Sequence, residues 1–194
     1  IKNADEATTS LSLPGRVNRQ DAWQVIAALQ YIQQAPLTEV LEIMNRFPGV
    51  ARRFEQVAQG IYTDYAHTPE KIRGALQMAQ EVAGDKVVVV YEGLHNTRQH
   101  FIKDDLKHLF DDVKHLYVVP SYLAREDESL KLLAPADLIE LMSKPDIATA
   151  SQCDATLKSA IEQHVANGDT VLCLSAGGGG SLDEWLRQEF LSTE

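Results

Sequence analysis

Lys86-Val87-Val88-Val89-Val90-Tyr91 is the stretch that decides the fold. Four valines in a row closed by a tyrosine leave no polar alternation, so neither side of the segment suits water. A strand covered on both faces belongs to a parallel sheet with helices above and below it. Two further apolar runs, Leu116 to Val119 and Thr170 to Leu174, repeat the signal downstream. Helical patterns separate the runs. Thr68-Pro69 opens one, with Thr as cap and Pro at the first helical position, and Gly84 stops it. Others are expected over 99–112, 135–142, 154–165 and 181–191, the last capped by Ser181. Strands alternating with helices predict right-handed βαβ units and an α/β fold: a mainly parallel sheet with helices on both faces.

Upstream, Val50 to Tyr65 holds two short β-like runs around Gln59-Gly60, which reads as a hairpin. Residues 1–12 are polar and read as a frayed lead-in, and Pro14-Gly15 is a turn. Asp21 is expected to cap a helix with Trp23, Ile26, Ala27, Leu29 and Tyr31 on its apolar face, broken by Pro36. Thr38 is expected to cap a second helix through Val40, Leu41, Ile43 and Met44. This short helical hairpin falls below the ~40 residues that fold alone without a staple. The expected division is therefore 1–48 and 49–194, at Pro48-Gly49. The first residue is Ile rather than Met, so the chain reads as a piece of a longer protein.

Composition narrows the partners. The 194 residues are 44% hydrophobic and 24% charged, as in an ordinary globular protein. Eighteen basic against 28 acidic residues give a net charge of −10, which opposes nucleic-acid binding and a polybasic membrane patch. Two cysteines are too few for a disulfide scaffold, and Cys173 sits in an apolar run as a small buried hydrophobe. No apolar stretch reaches the roughly 18 residues of a membrane span, and no secretory signal is visible. There is no GxxxxGK[ST] phosphate loop, no GxSxG elbow and no cluster of metal-ligating residues.

Ligands of open α/β sheets bind at the carboxyl ends of the strands. Three segments fall there, each just before a helix whose N-terminus suits an anion: Asp64-Tyr65-Ala66-His67-Thr68-Pro69, Glu92 to Arg98, and Ser175 to Ser181. Each also has a plain reading. Asp64 and Thr68 serve equally as turn and cap residues, and His67 as a surface histidine. Arg98 serves as a solvated charge, although a cation on a first helical turn opposes the helix dipole. The four glycines 177–180 read as a flexible loop.

Together the segments resemble the C-terminal part of the Mur ligases, cytoplasmic ATP-dependent enzymes that add amino acids to the muramoyl nucleotide precursor of peptidoglycan. Phe47-Pro48-Gly49-Val50-Ala51-Arg52-Arg53-Phe54-Glu55 resembles that family's F-x-G-V-x-R-R-F-E, and Asp64 to Pro69 its D-Y-A-H-x-P. Val87 to Arg98 and Ser175 to Asp183 resemble, more weakly, a substrate-arginine strand and loop and the small-residue loop before the last helix. The R-R-F-E form looks most like the alanine-adding branch, and the branch that recycles murein tripeptide shares it.

The resemblance implies a Rossmann-like C-terminal domain over 49–194, preceded by the last helical hairpin of the ATP-binding central domain over 1–48. It implies that Arg53 reaches the ATP phosphates, that Asp64 accepts from the ribose, and that Asn18 lies near the adenine. His67 and Arg98 would face the incoming amino acid and the acyl phosphate, with Thr68, His95 and Ser181 in the same substrate-binding group. Arg53, His67 and Arg98 would be the catalytic set. The partners implied are UDP-N-acetylmuramate, an amino acid or short peptide, and the remaining domains of the same protein. The phosphate loop and the Mg2+ ligands would lie in the central domain, so this stretch alone is expected to be inactive. Val17 and Asp21 depart from the family's G-x-H-N-x-x-N-A, and His95 replaces an arginine of H-R-Y-[ST]-R-T. These departures leave a second reading, a binding module that keeps the fold without catalysis.

Overall fold

A computed structural model describes residues 10–191. The valine run is the middle of β3 (Val87–Leu94), buried at every position. Around it, β1 (Glu55–Ala58), β2 (Ile61–Asp64), β4 (His115–Tyr122), β5 (Ala148–Ala150) and β6 (Thr170–Leu174) complete a six-stranded sheet in the order β1-β2-β6-β3-β4-β5. β1 and β2 form the expected antiparallel hairpin, and every other pairing is parallel. The order reverses direction between β6 and β3, which opens the crevice at their carboxyl ends.

Pleating divides β3 between two cores. Val87, Val89 and Tyr91 join Leu116, Val118, Leu172 and Leu174 on one face. That face packs on α3 (Pro69–Ala83) through Ile72, Ala75 and Ala79, on α4 (Asn96–Leu106) through Leu106, and on α5 (Pro135–Glu140) through Leu138. Val88 and Val90 join Val119, Val171 and Cys173 on the other. That face packs on α6 (Ala155–Ala166) through Leu157 and Ile161, and on α7 (Leu182–Phe190) through Leu182 and Leu186. Each buried valine is worth about 1.5–3 kcal/mol. Helices therefore cover both faces, as the unalternated run requires. Asp154 caps α6 by accepting the Thr156 and Leu157 amides at 2.9 and 3.0 Å.

The chain divides into two units at Gly49/Val50. The first contains α1 (Arg16–Gln33) and α2 (Leu37–Asn45). Its buried residues are Leu11, Ala22, Ile26 and Val40. Four expectations need correction here, the first being that Thr38, expected to cap the second helix, lies inside α2, whose N-cap is Pro36. α1 begins five residues before Asp21, with Gly15 at its cap (φ 85), because nothing between Arg16 and Gln20 breaks a helix. Tyr31 is 89% exposed: five residues after Ile26, it falls far round the helix from the buried side. The first nine residues of the expected frayed lead-in lie outside the described residues. Its end is tied down, with Leu11 buried and the Ser12 amide donating to Asn45 Oδ1 at 2.8 Å.

In the second unit, α4 starts at Asn96 rather than Gln99. β5, which sequence patterning missed, is three residues with no hydrophobic alternation, recruited by the β4 backbone at the sheet edge. No helix among the described residues is long and apolar enough to cross a membrane.

Candidate functional site

The R-R-F-E turn sets the geometry. Arg52 and Phe54 both hold positive φ (57° and 49°), a strained backbone for side chains of their size. Three bonds keep it. The Arg52 amide donates to Glu55 Oε2 (2.7 Å), the Tyr65 amide to the Arg52 carbonyl (2.8 Å), and the Phe54 amide to Asp64 Oδ2 (2.8 Å). Both guanidiniums lie against the Tyr65 ring, Arg52 at 4.5 Å from its centroid, but their hydrogen bonding differs. Arg52 Nη2 donates to the carbonyls of Ser175 and Gly177 at 3.1 and 3.0 Å. Its Nε lies 3.4 Å from Asp183. Arg53 is exposed, with its guanidinium 5.4 Å from the Tyr65 ring centroid.

Asp64, only 4% exposed, is an anchor in this geometry. Burial pushes its carboxyl up to about 6, against the pull of the Phe54 amide and the Arg53 charge. His67 follows on the same loop, half-buried, with Nδ1 2.9 Å from the Tyr65 carbonyl. Burial lowers its pKa, and the charges of Lys71, Arg98 and Arg53 push the same way. Arg53, Lys71 and Arg98 lie near enough to His67 for their charges to lower its pKa, and Arg53 and Lys71 near enough to Asp64 to oppose the rise in its own. Among the described residues, Arg53, Lys71 and Arg98 have no side-chain hydrogen bond or ion pair. Thr68 occupies the N-cap of α3 without a side-chain cap bond, and Pro69 follows at the first helical position.

The other two helix N-termini are already occupied by carboxylates of this chain. At α7, Glu92 Oε1 accepts the Leu182 amide (2.9 Å) and Oε2 the Ser175 hydroxyl (2.6 Å). Burial raises the Glu92 pKa against those two bonds. At α4, Glu126 Oε2 accepts the amide and hydroxyl of Thr97 (2.8 and 3.1 Å), and Oε1 accepts the Ala124 amide (2.9 Å). His95 sits at that N-cap with φ 56 and its Nδ1 3.4 Å from Glu126 Oε1. Ser181, 2% exposed, holds the N-cap position of α7 without the expected side-chain cap bond. Of three candidate anion sites, the one with spare donors is the start of α3.

The glycine loop is less free than its composition suggests. A Cβ on Gly177 would stand 2.5 Å from the Tyr122 ring and 2.6 Å from Ser181 Cβ, whereas Gly179 has room. Beside it lies an open depression of about 530 Å3 between Arg52, the loop and α7. Its second arginine, Arg187, is paired with Glu55 (2.6 Å) and Asp183 (3.1 Å), so it offers no spare charge. Asn18 belongs to the hairpin unit, where its amide donates to the Pro14 carbonyl at 3.0 Å. Sequence reading missed Lys71 and Glu126, and placed Glu92 in a candidate segment without giving it a role. Glu92 had a signal, a charge ending a buried strand; Glu126, in an irregular loop, had none.

The rim fits a phosphate-bearing ligand such as ATP, because its unpaired donors are guanidinium and ammonium groups. Among the described residues no three His, Cys, Asp or Glu side chains stand close enough to share a metal ion.

Comparison with known proteins identifies the family and the fold. The family described as "Mur ligase, glutamate ligase domain" matches residues 52–177. The UDP-N-acetylmuramate–L-alanine ligase of Maricaulis maris is 32% identical over 162 residues, covering 78% of this chain and 34% of the relative. That of Rickettsia typhi is 31% identical over 160 residues, covering 77% and 32%. The crystal structure of UDP-N-acetylmuramate-alanine ligase from Thermotoga maritima superposes with a TM-score of 0.62 at 26% identity, over 92% of this chain and 38% of that one. The chain thus spans about a third of the length of the curated relatives it matches. With well over half of the sequence inside the family match, and a six-stranded α/β sheet carrying the motif loops along one rim, this chain belongs to the Mur ligase family.

Proposed function

We propose that this chain is the C-terminal, nucleotide- and amine-closing part of a cytoplasmic ATP-dependent ligase that joins L-alanine to UDP-N-acetylmuramate through an acyl phosphate. Residues 49–194 are the C-terminal domain, and 1–48 are the last hairpin of a central ATP-binding domain. The observation that carries this reading is the trio Arg53, Lys71 and Arg98, unpaired around His67 in a chain of net charge −10. Three like charges facing one half-buried histidine repel one another, and an incoming polyanion relieves that repulsion.

In the reaction, the substrate carboxylate takes the γ-phosphoryl group and ADP leaves. The amine then attacks the acyl carbon, expelling phosphate and losing a proton. Arg53 stabilises charge on the phosphoryl oxygens, and Arg98 pairs an anionic oxygen of the acyl phosphate or the amino acid. With Nδ1 donating to the Tyr65 carbonyl and the pKa lowered, His67 stays neutral and keeps Nε2 as an acceptor facing the amine. Asp64 accepts from the ribose while holding the Phe54 amide. Asn18 lies near the adenine, and Thr68, His95 and Ser181 line the substrate side. Mg2+ is held by the central domain, and the chain by itself does not turn over.

The test is to express the full reading frame containing this chain and follow ADP release with UDP-N-acetylmuramate, Mg2+ and a panel of amino acids. Alanine-dependent release is expected. Release with murein tripeptide alone moves the substrate to the recycling branch. No release with any amine, from soluble protein that binds ATP, favours the non-catalytic module.

A further inference from the structure

We propose that Glu126 is a positioning residue for Arg98, locking the strained turn that aims the guanidinium at the rim beside His67. The proposal rests on the site reading above, in which Arg98 meets an anionic substrate group. Its structural basis is separate. α4 opens on His95, whose left-handed backbone (φ 56) persists only if its surroundings hold it. The His95 amide donates to the Tyr122 carbonyl (2.8 Å), and its carbonyl accepts the Gln99 amide (3.0 Å). The turn after His95 is held by one carboxylate, while the His95 Nδ1 makes no hydrogen bond among the described residues. Glu126 faces His95 Nδ1 and takes both donors of Thr97, the residue immediately before Arg98.

The loop that supplies Glu126 is itself clamped to α4. Thr97 Oγ1 accepts the Asp127 amide (2.8 Å). The Asn96 side chain donates to the Lys131 carbonyl (3.1 Å) and accepts the Leu133 amide (2.8 Å). Without Glu126, two amides and a hydroxyl lose their acceptor, and the His95 turn is free to relax toward negative φ. Arg98 then loses its direction, while the β3 core, built from other residues, is untouched.

A double-mutant cycle in the intact ligase tests this, with kcat/KM for the amino acid identified by the panel. Glu126→Ala is expected to cost at least ~10-fold, as small misplacements of a substrate-pairing group do. Arg98→Ala should cost as much or more. The double variant should be within threefold of Arg98→Ala, because Glu126 acts through Arg98. Costs that multiply in the double variant would overturn the proposal and leave the site reading standing. Arg98→Ala within threefold of the parent would overturn both. Should Glu126→Ala fail to fold, Glu126→Gln keeps the volume but removes the charge, and the same cycle applies with the same outcomes.

Discussion

Arg52 and Arg53 are neighbours against the same tyrosine ring with different duties. Arg52 closes two carbonyls of the glycine loop, so Arg52→Ala strands buried acceptors, at about 1–3 kcal/mol, or roughly 3–10 °C in melting temperature. Arg53 makes no such bonds. Arg53→Ala is expected to leave the melting temperature within a degree or two and to cut turnover of the full ligase at least ~100-fold. Turnover within threefold of the parent removes Arg53 from the phosphate role. Asp64 carries a pH signature. Its folded-state carboxyl, near 6, protonates at higher pH than the ordinary 3.8. Its stabilising effect is therefore fully present below pH 3.8 and lost as pH rises through about 6. Between pH 7.5 and pH 5 the parent should gain on the order of 1 kcal/mol, or a few degrees, relative to Asp64→Asn, which cannot titrate. Parallel thermal melts at the two pH values measure the gap, and a gap that does not move refutes a buried, raised carboxyl.

Among the elements, the loop after β6 shows why four identical residues are not equivalent. Gly177 is buried against Tyr122 and Ser181, while the next three glycines are exposed. Gly177→Ala must push aside an aromatic ring and a helix N-cap, at about 1–3 kcal/mol. Gly179→Ala meets only an ordinary contact with the Glu184 carboxylate at 3.8 Å and should melt with the parent. Equal melting temperatures for the two variants would mean that the loop does not pack as described. That distinction was invisible in the sequence, because close approach is a property of the partner, here a tyrosine far away in the chain. What was legible had a local cause. The unalternated valines forced a doubly covered strand, and Thr68-Pro69 with Gly84 fixed both ends of α3. β5 was lost because its pairing comes from β4 rather than from its own residues. The motif loops could be placed at the strand ends, yet Glu92 and Glu126 filled two of the three helix N-termini from outside those loops' obvious chemistry. A sequence pattern marks where an anion could bind, not whether the chain has already supplied one.

For the molecule as a whole, the two units differ in how much core each owns. The α/β unit has two buried clusters drawn wholly from its own residues, one on each face of the sheet. The hairpin unit has four buried apolar residues, Leu11, Ala22, Ile26 and Val40, with partly buried neighbours such as Trp23 and Leu29. Area burial scales with size, and a piece of about 40 residues without disulfide or metal stays marginal. Residues 50–194 expressed alone should therefore unfold in one cooperative transition, with a midpoint within about 5 °C of the main transition of the whole chain. A peptide of residues 10–49 should show partial helicity by circular dichroism and a broad, non-cooperative melt. The proposed division into a C-terminal domain and a remnant of another domain requires both results. If residues 50–194 give no cooperative transition while the whole chain does, the hairpin is part of the same folding unit and the division fails. If the peptide melts sharply by itself, the hairpin is a domain in its own right, and its assignment to the end of a central ATP-binding domain fails instead.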